Sequence, residues 1–402
     1  MQTLYLSNKD ILNCCGCRAC AQRCPVGAIK FIENEEGFIY PSIDTQQCIS
    51  CGLCKNVCNM LQPVLYGEPQ TGYAVYVKDR SLLRKSSSGG AFIALAKAVI
   101  ADGGLVIGCV DDKDGMPMHT TAKTTEELAF MQGSKYAQSN MGTIYLETEK
   151  HLKEGVKVLF TGTPCQIAGL RAYLSKPYSN LYCMDIICHG VPSRKLYREY
   201  LKWLGKQKKG KVVSYQFRSK IKNNWSYTRR AEIKRRNNVI KISEMTASLD
   251  PYCYSFLRGF ICRESCYKCP YSRIERIGDI TVGDFWGIDK TYPELYNQDG
   301  VSAVIVNTAY GKELFEQVRD QLDVHPVEIT KIQEHNGNLT APTNRPTLRN
   351  HIYKEMNEYG FDRIANKYMR IRHYWFHYTK DKIPSKMRQN IKFILKQLIK
   401  NR

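Results

Sequence analysis

Nine of the seventeen cysteines crowd between Cys14 and Cys58. Cys14, Cys17, Cys20 and Cys24, the last followed by Pro25, fit C-x2-C-x2-C-x3-C-P. With that spacing a tight loop presents three thiolates to one iron–sulfur cubane and sends the fourth to a neighbour. Cys48, Cys51, Cys54 and Cys58 repeat the spacing, with Asn59 where a second proline is expected. The paired arrangement assigns Cys14, Cys17, Cys20 and Cys58 to one 4Fe-4S cluster, and Cys48, Cys51, Cys54 and Cys24 to the other. Zinc would call for one tetrahedral quartet, not two interleaved ones. Cys15 is the spare thiol, expected to be packed rather than ligating. Two clusters side by side make an electron wire, so the rest of the chain should house what the wire feeds.

The elements that must position these groups follow from pattern. The two cysteine halves are joined by a strand-like stretch around Phe38 and define a first domain, residues 1–66, a two-cluster ferredoxin unit. LQPVLYGEPQTG, with Pro63, Gly67, Pro69 and Gly72, has linker composition. Beyond it, strand-like runs from Tyr73, Leu105 and Lys157 alternate with a helical run from Ala91 to Ala101 that stops at Gly103-Gly104. The fold class expected is α+β: a ferredoxin-like domain, then an α/β domain over 67–330 (67–155 and 156–330) with a mixed sheet, and a helical basic tail over 331–402. The stretch from Lys211 to Ile242 alternates polar and apolar residues and is expected to supply the antiparallel part of that sheet. From about Pro326 the chain reads as irregular, then helical.

The 402 residues, 43% of them hydrophobic, suffice for two or three domains. No charged leader opens the sequence, and no apolar run reaches the roughly eighteen residues that span a bilayer. These features point to the cytoplasm, where clustered thiols bind metal rather than pair as disulfides. Lys plus Arg number 59 against 38 Asp plus Glu, a net charge of +21. That balance suits anionic lipid, acidic protein, phosphorylated ligand or nucleic acid, and does not choose among them. No recognition-helix motif or aromatic nucleic-acid platform appears, so nucleic acid is not the expected partner. Walker, H-E-x-x-H and G-x-S-x-G patterns are also missing, which argues against phosphoryl transfer and hydrolysis.

Six segments recur in one order: SSSGGAF from Ser86, GSKYAQS from Gly133, GTPCQIAGL from Gly162, DIICHGVPS from Asp185, SCYKCPY from Ser265 and GDITVGDFWGI from Gly278. Together they make residues 1 to about 330 resemble the coenzyme F420 hydrogenase/dehydrogenase beta-subunit family, in the bacterial form with an amino-terminal ferredoxin domain. The resemblance implies a flavoprotein subunit that binds FAD and a third 4Fe-4S cluster and passes electrons between clusters and a two-electron carrier. Ser86, Ser87, Ser88, Gly89 and Gly90 precede a helix, so their hydroxyls and amides suit a pyrophosphate. Ser134, Lys135 and Tyr136 join the expected cofactor site, with Lys135 the candidate catalytic cation near a phosphate or the reduced ring. Thr161, Gly162 and Thr163 lie at the carboxyl end of a strand, where open α/β sheets bind ligands. The resemblance assigns the third cluster to Cys165, Cys188, Cys266 and Cys269, with Cys262 a competitor that spacing leaves open. Cys109, Cys183 and Cys253 read as packed thiols, and His189 as a group able to tune a cluster. Asp279, Asp284 and Trp286 read as a turn packed near the cofactors, without a catalytic role.

The function expected is an iron–sulfur flavoprotein oxidoreductase. A ferredoxin-like or other redox partner supplies single electrons, and FAD pairs them for an organic two-electron acceptor, in a surface-polysaccharide pathway by analogy with some bacterial relatives. The alternatives are a subunit that reduces coenzyme F420 within a hydrogenase or dehydrogenase complex, and a non-catalytic electron-transfer protein. The segment Ser385–Arg402 spaces Met387, Ile391, Ile394, Leu395 and Leu398 among lysines, a pattern for a packed terminal helix or for peripheral attachment to the inner membrane face.

Overall fold

The computed structural model describes residues 11–62, 67–221 and 225–371. Each cysteine loop of the first module turns into one short helix, α1 (Ala19–Gln22) and α2 (Leu53–Asn56), entered through a left-handed residue, Arg18 and Gly52. Between them runs an antiparallel hairpin, β1 (Ile29–Glu33) and β2 (Ile39–Ile43). The sharp entry turns hold the backbone amides around the thiols, as a cluster loop requires.

The body is built on β3 (Thr71–Val77), β4 (Leu105–Asp111), β5 (Pro117–Ala122), β6 (Val158–Gly162) and β7 (Leu181–Ile186). A small sheet of β8 (Lys211–Gln216), β9 (Thr228–Lys234) and β10 (Ile240–Thr246) follows, and then β11 (Ile280–Asp284), β12 (Ser302–Val306) and β13 (Leu322–Val327). The main sheet has eight strands in the order β13-β3-β12-β11-β7-β6-β4-β5. Its centre, β11, β7, β6 and β4, is parallel, and antiparallel strands flank it on both sides. The central strands are apolar along most of their length because helices cover both faces. On one face α3 (Arg80–Lys85), α4 (Ala91–Ala101) and α5 (Thr125–Met131) pack Leu83, Leu95, Val99 and Leu128 over Val106, Leu159 and Met184. On the other, α6 (Ile144–Lys153) and α7 (Pro164–Leu174) pack Tyr145, Ile167 and Leu170 over Ile107 and Phe160. Ala19 and Val57 belong to that second core, so the ferredoxin module shares a hydrophobic core with the body.

The stretch from Lys211 to Ile242 departs from expectation, because it forms the separate antiparallel sheet β10-β9-β8 and adds nothing to the main one. The amphipathic α8 (Arg194–Gln207) explains this: Tyr197 and Leu204 bury the Ala231 and Ile233 face of β9, leaving Ile240 and Ile242 exposed. Pro326 lies not in irregular chain but in β13, an edge strand paired only with β3, where its missing amide costs no ladder bond. After α9 (Pro251–Leu257), α10 (Ile288–Thr291) and α11 (Ala309–Glu316), the chain ends its described part in α12 (Ile329–Glu334) and α13 (Leu348–Lys367). Ile332 packs with Ala74 and Phe285. Ile352 and Met356 pack in the core that holds Phe38 and Tyr40 of the ferredoxin module. The basic segment Ser385–Arg402 lies outside the described residues, among which no helix is long and apolar enough to cross a membrane.

Candidate cofactor cavity and iron–sulfur sites

The body grips the ferredoxin module through buried polar groups. The fully buried Arg263 donates to the carbonyl oxygens of Cys14 (2.6 Å) and Ile39 (2.8 Å) and to Gln138 Oε1 (3.0 Å), with its guanidinium 4.2 Å from the Tyr40 ring centre. Gln138 Nε2 in turn donates to the Cys15 carbonyl at 3.1 Å. Gly16 is required there, since it has φ +74° and a Cβ would lie 2.5 Å from Gln138 Nε2. Arg349 adds a two-pronged pair to Glu36, at 2.8 and 2.6 Å.

Cys14, Cys17, Cys20 and Cys58 all border one small cavity, so the first interleaved quartet is gathered at one place. Cys54 neighbours Cys48 and Cys51, both of which are exposed. Burial pushes the Cys58 thiol up to about 11, and backbone amides of Met60 and Leu61 offset part of that cost. The amides of Gly16 and Ala28 point at the sulfurs of Cys14 (3.4 Å) and Cys24 (3.3 Å). Buried thiols ringed by amide donors fit a cubane, because iron replaces the proton that burial retains and the amides stabilise the thiolates. No trio of His, Cys, Asp or Glu among the described residues converges as tightly as a single ion needs. A cubane holds its ligands farther apart than that.

A second, larger cavity of about 560 Å³ opens between the module and the carboxyl ends of the central strands. Cys165, Cys188, Cys266 and Cys269 form part of its wall, brought from α7, the end of β7, the 3-10 turn Glu264–Lys268 and the residue after it. Cys188 neighbours Cys266 and Cys269, and Cys165 neighbours Cys188 and Cys269. Burial pushes the Cys188 thiol up to about 12, against an amide donated by Gly190. The four fit a cubane by the same donor chemistry. Cys262 is fully buried behind Gly190, where a Cβ would sit 2.8 Å from its sulfur, and does not line the cavity.

The loops expected to bind a cofactor meet on the same cavity. Ser86 Oγ donates to the Leu82 carbonyl and accepts from Gln132, Ser87 Oγ accepts from the Ser134 amide, and Ser88 Oγ donates to the Val301 carbonyl. The hydroxyls therefore shape the loop, and the uncapped first turn of α4, entered through Gly90 at φ +86°, is what faces the cavity with free amides. A Cβ at Gly89 would lie 2.1 Å from the Val75 carbonyl oxygen, so only glycine lets the loop lie against the sheet. Lys135 lines the cavity, but its ammonium donates to the carbonyls of Phe130 (3.1 Å), Gly133 (3.3 Å) and Met131 (3.4 Å) at the carboxyl end of α5. Tyr136 stacks on Phe256 with ring centres 4.5 Å apart. Thr161 Oγ1 donates to the Ile107 carbonyl, Gly162 lies under Gln166, and Thr163 Oγ1 is 3.2 Å from Cys165 Sγ.

Of the turn Gly278–Ile288, Asp284 and Trp286 line the cavity, while Asp279 lies at the opposite end of β11, between Arg171 (3.2 Å) and Thr308 (2.9 Å). His189 donates from Nε2 to the Phe256 carbonyl at 3.0 Å and faces the cavity. Cys183 and Cys253 are packed as expected, whereas Cys109 reaches the cavity wall.

Sequence reasoning missed five side chains here: Arg218, Lys220, Trp225, Tyr227 and His119. Asp284 takes both prongs of the buried Arg218, at 2.9 and 3.1 Å, and a bond from Trp225 Nε1 at 2.6 Å. Trp225 and Tyr227 stack on Trp286, at 5.1 and 4.9 Å between ring centres, making an aromatic wall with a fixed cation beside it. Beside it Lys220 is buried and donates to the carbonyls of Leu83 and Ser88. Burial, with Arg218 nearby, pushes its ammonium down to about 7. His119, buried behind Thr161, donates from Nε2 to the Thr161 carbonyl (3.1 Å) and accepts at Nδ1 from Ser139 Oγ (2.5 Å), with burial pushing it down to about 4. None of the five sits in the recurrent segments, and polar residues of an alternating stretch carry no signal of what they face.

A two-cluster module shares its core with an α/β body that carries four more cysteines on a cavity at the sheet's carboxyl edge, an arrangement suited to iron–sulfur electron transfer. Residues 155–335 match the model for the C terminus of the coenzyme F420 hydrogenase/dehydrogenase beta subunit, and residues 13–60 match a 4Fe-4S dicluster domain. The chain is 25% identical over 328 residues to the coenzyme F420-dependent sulfite reductase of Methanocaldococcus jannaschii, covering 80% of this chain and 48% of that protein. The chain thus spans about half the length of that relative. It is 22% identical over 331 residues to one of the F(420)H(2) dehydrogenase subunits of Methanosarcina mazei, covering 77% of this chain and 84% of that one. A chain of the F420-reducing [NiFe] hydrogenase complex from Methanosarcina barkeri superposes with a TM-score of 0.45 at 16% identity, over 73% of this chain and 94% of that chain.

Proposed function

We propose that this protein relays single electrons from a redox partner through three 4Fe-4S clusters to a flavin in the 560 Å³ cavity, which exchanges electron pairs with a deazaflavin carrier of the coenzyme F420 class. The observation that carries the reading is one cavity walled by Cys165, Cys188, Cys266 and Cys269 on one side and by the Ser86–Gly90 and Ser134–Tyr136 loops on another. Cys14, Cys17, Cys20 and Cys58, Cys24, Cys48, Cys51 and Cys54, and the third quartet would hold the clusters. When bound, a flavin supplies the conversion between one- and two-electron chemistry that cubanes cannot perform.

The chain's own groups do the rest. Free amides at the start of α4 favour a pyrophosphate, the Trp286 and Tyr227 wall offers a flat apolar surface to a ring, and Arg218 holds a positive charge beside it. Lys135 keeps a cation at the edge of the cavity, released to a ligand only by giving up its three carbonyls. The exposed Cys48 and Cys51 put the outer cluster site where a partner protein docks. Both relatives are named for coenzyme F420 or its reduced form, which favours that carrier over other organic acceptors.

Anaerobic purification with iron, sulfide and flavin quantification tests the relay: about twelve irons and one flavin are expected. Reduction of F420 by the dithionite-reduced protein, against no reduction of nicotinamide carriers, tests the acceptor. About eight irons and no flavin would reduce the protein to a carrier without catalysis.

A further inference from the structure

Asn59 stands where the cysteine motif repeats but its proline does not, and the structure gives it a place that proline could not fill. The residue is 3% exposed and directly follows Cys58, a member of the first quartet. Its Nδ2 donates to the backbone carbonyl of Cys165, a member of the third quartet, at 2.7 Å. Its Oδ1 accepts from the thiol of Cys15 at 3.6 Å and lies 3.9 Å from the Cys17 sulfur, which would have no proton to donate once it ligates iron. Its own carbonyl accepts from Tyr271 Oη at 2.8 Å, two residues beyond Cys269. One residue thus spans from the segment of one quartet to two segments of the other. Cys15 completes the span: with Met60 it is common to the walls of both cavities, and its thiol faces those of Cys17 and Cys165. At Gly169 of α7 a Cβ would lie 3.0 Å from Cys17 Sγ, so the first site packs directly against the helix that carries Cys165.

Resting on the three-cluster reading above, we infer that Asn59 is a positioning residue that, with Cys15, forms the route by which electrons cross between the first and third cluster sites. The route runs from Cys58 along one peptide bond and the Asn59 side chain, across the 2.7 Å hydrogen bond, into Cys165. In each crossing one electron leaves the site of Cys14, Cys17, Cys20 and Cys58, which is oxidised, and enters the site of Cys165, Cys188, Cys266 and Cys269, which is reduced. No covalent bond forms or breaks and no proton moves. A hydrogen bond shortens the through-space gap that an apolar contact would leave, so Asn59 sets the rate of crossing and not the number of clusters.

The test is made on the full chain, purified anaerobically as wild type, Asn59→Leu and Tyr271→Phe. Iron content, the magnetic broadening between reduced clusters, and the freeze-quench rate of electron arrival at the third site after dithionite mixing are read together. Asn59→Leu, nearly isosteric but unable to donate or accept, is expected to keep about twelve irons and the broadening, with a crossing roughly tenfold slower. An unchanged rate at full iron content overturns the inference. Loss of the broadening together with the rate would assign Asn59 to holding the module in place and also overturn it. If Asn59→Leu loses iron, Tyr271→Phe decides: a slowed crossing at full iron supports the route, and an unchanged one refutes it. About eight irons in the wild type would instead remove the third cluster itself.

Discussion

Arg263 is the buried cation on which docking of the ferredoxin module turns, and its removal has a calculable effect. Arg263→Met keeps the apolar stem and deletes three hydrogen bonds, to Cys14 O, Ile39 O and Gln138 Oε1. No carboxylate pairs with this arginine among the described residues, so the substitution strands no buried acid. It does strand three acceptors, each worth about 1–3 kcal/mol when buried, and it removes a cation from the Tyr40 ring worth about another 1 kcal/mol. Allowing for relaxation and water entry, a loss of about 3 kcal/mol in docking is expected, which is about two orders of magnitude in the opening equilibrium. Hydrogen exchange on the anaerobic holoprotein reads that equilibrium directly, since interface amides exchange through local opening. Amides of residues 14–20 and 38–40 should exchange about a hundredfold faster in the variant while those of β6 and β7 stay as in the wild type. Arg263→Lys, which keeps the charge but not the planar fork, should fall between the two. Unchanged protection in Arg263→Met would show that the shared apolar core alone holds the module and would refute the assignment.

Other consequences are as direct. Cys165→Ser or Cys269→Ser should lower iron content by about four per chain relative to the wild type, whereas Cys262→Ser should leave it unchanged, as measured by iron and sulfide analysis. His119 is held down near 4 against an ordinary 6.5, so between those values the unfolded chain binds more protons than the native one. Stability is therefore fully present above about pH 6.5 and should fall by up to about 3 kcal/mol toward pH 4, a slope in Tm that His119→Gln removes. Gly89→Ala brings a Cβ to 2.1 Å from the Val75 carbonyl oxygen and 2.4 Å from the Ser302 amide, and should cost about 1–3 kcal/mol and most of the flavin binding. Gly337→Ala, at a position where a Cβ meets nothing within 4 Å, should leave thermal stability unchanged.

Much of the frame was legible because local rules govern it. The helix Ala91–Ala101 ends as its glycine pair requires, and the strands beginning at Thr71, Leu105 and Val158 appear where apolar runs meet turn residues. The segment from Lys211 to Ile242 was legible as strand and misplaced in the fold. Alternation fixes which side chains share a face, and does not say whether that face meets a sheet or a helix such as α8. Lys135 shows the same boundary at one residue: the motif puts it beside the cavity, and only the fold turns its ammonium onto the end of α5.

By itself the sequence determined the chemistry of the amino-terminal module, since thiolate spacing within a loop of eleven residues, Cys14 to Cys24, leaves the chain little freedom in what it can present. Six short segments in one order also carried the resemblance to the beta-subunit family whose C-terminal model matches residues 155–335. Tertiary structure alone decided that those segments converge on one cavity, that Cys262 stands behind Gly190 while Cys188 lines the cavity, and that Arg218 backs the wall made by Asp284 and Trp286. It also decided that Asn59 reaches across to Cys165, 106 residues away in the chain. The physical reason is range. Backbone turns and thiol spacing act over a few residues, whereas the cavity is closed by side chains whose separation in sequence carries no energy until the core has packed.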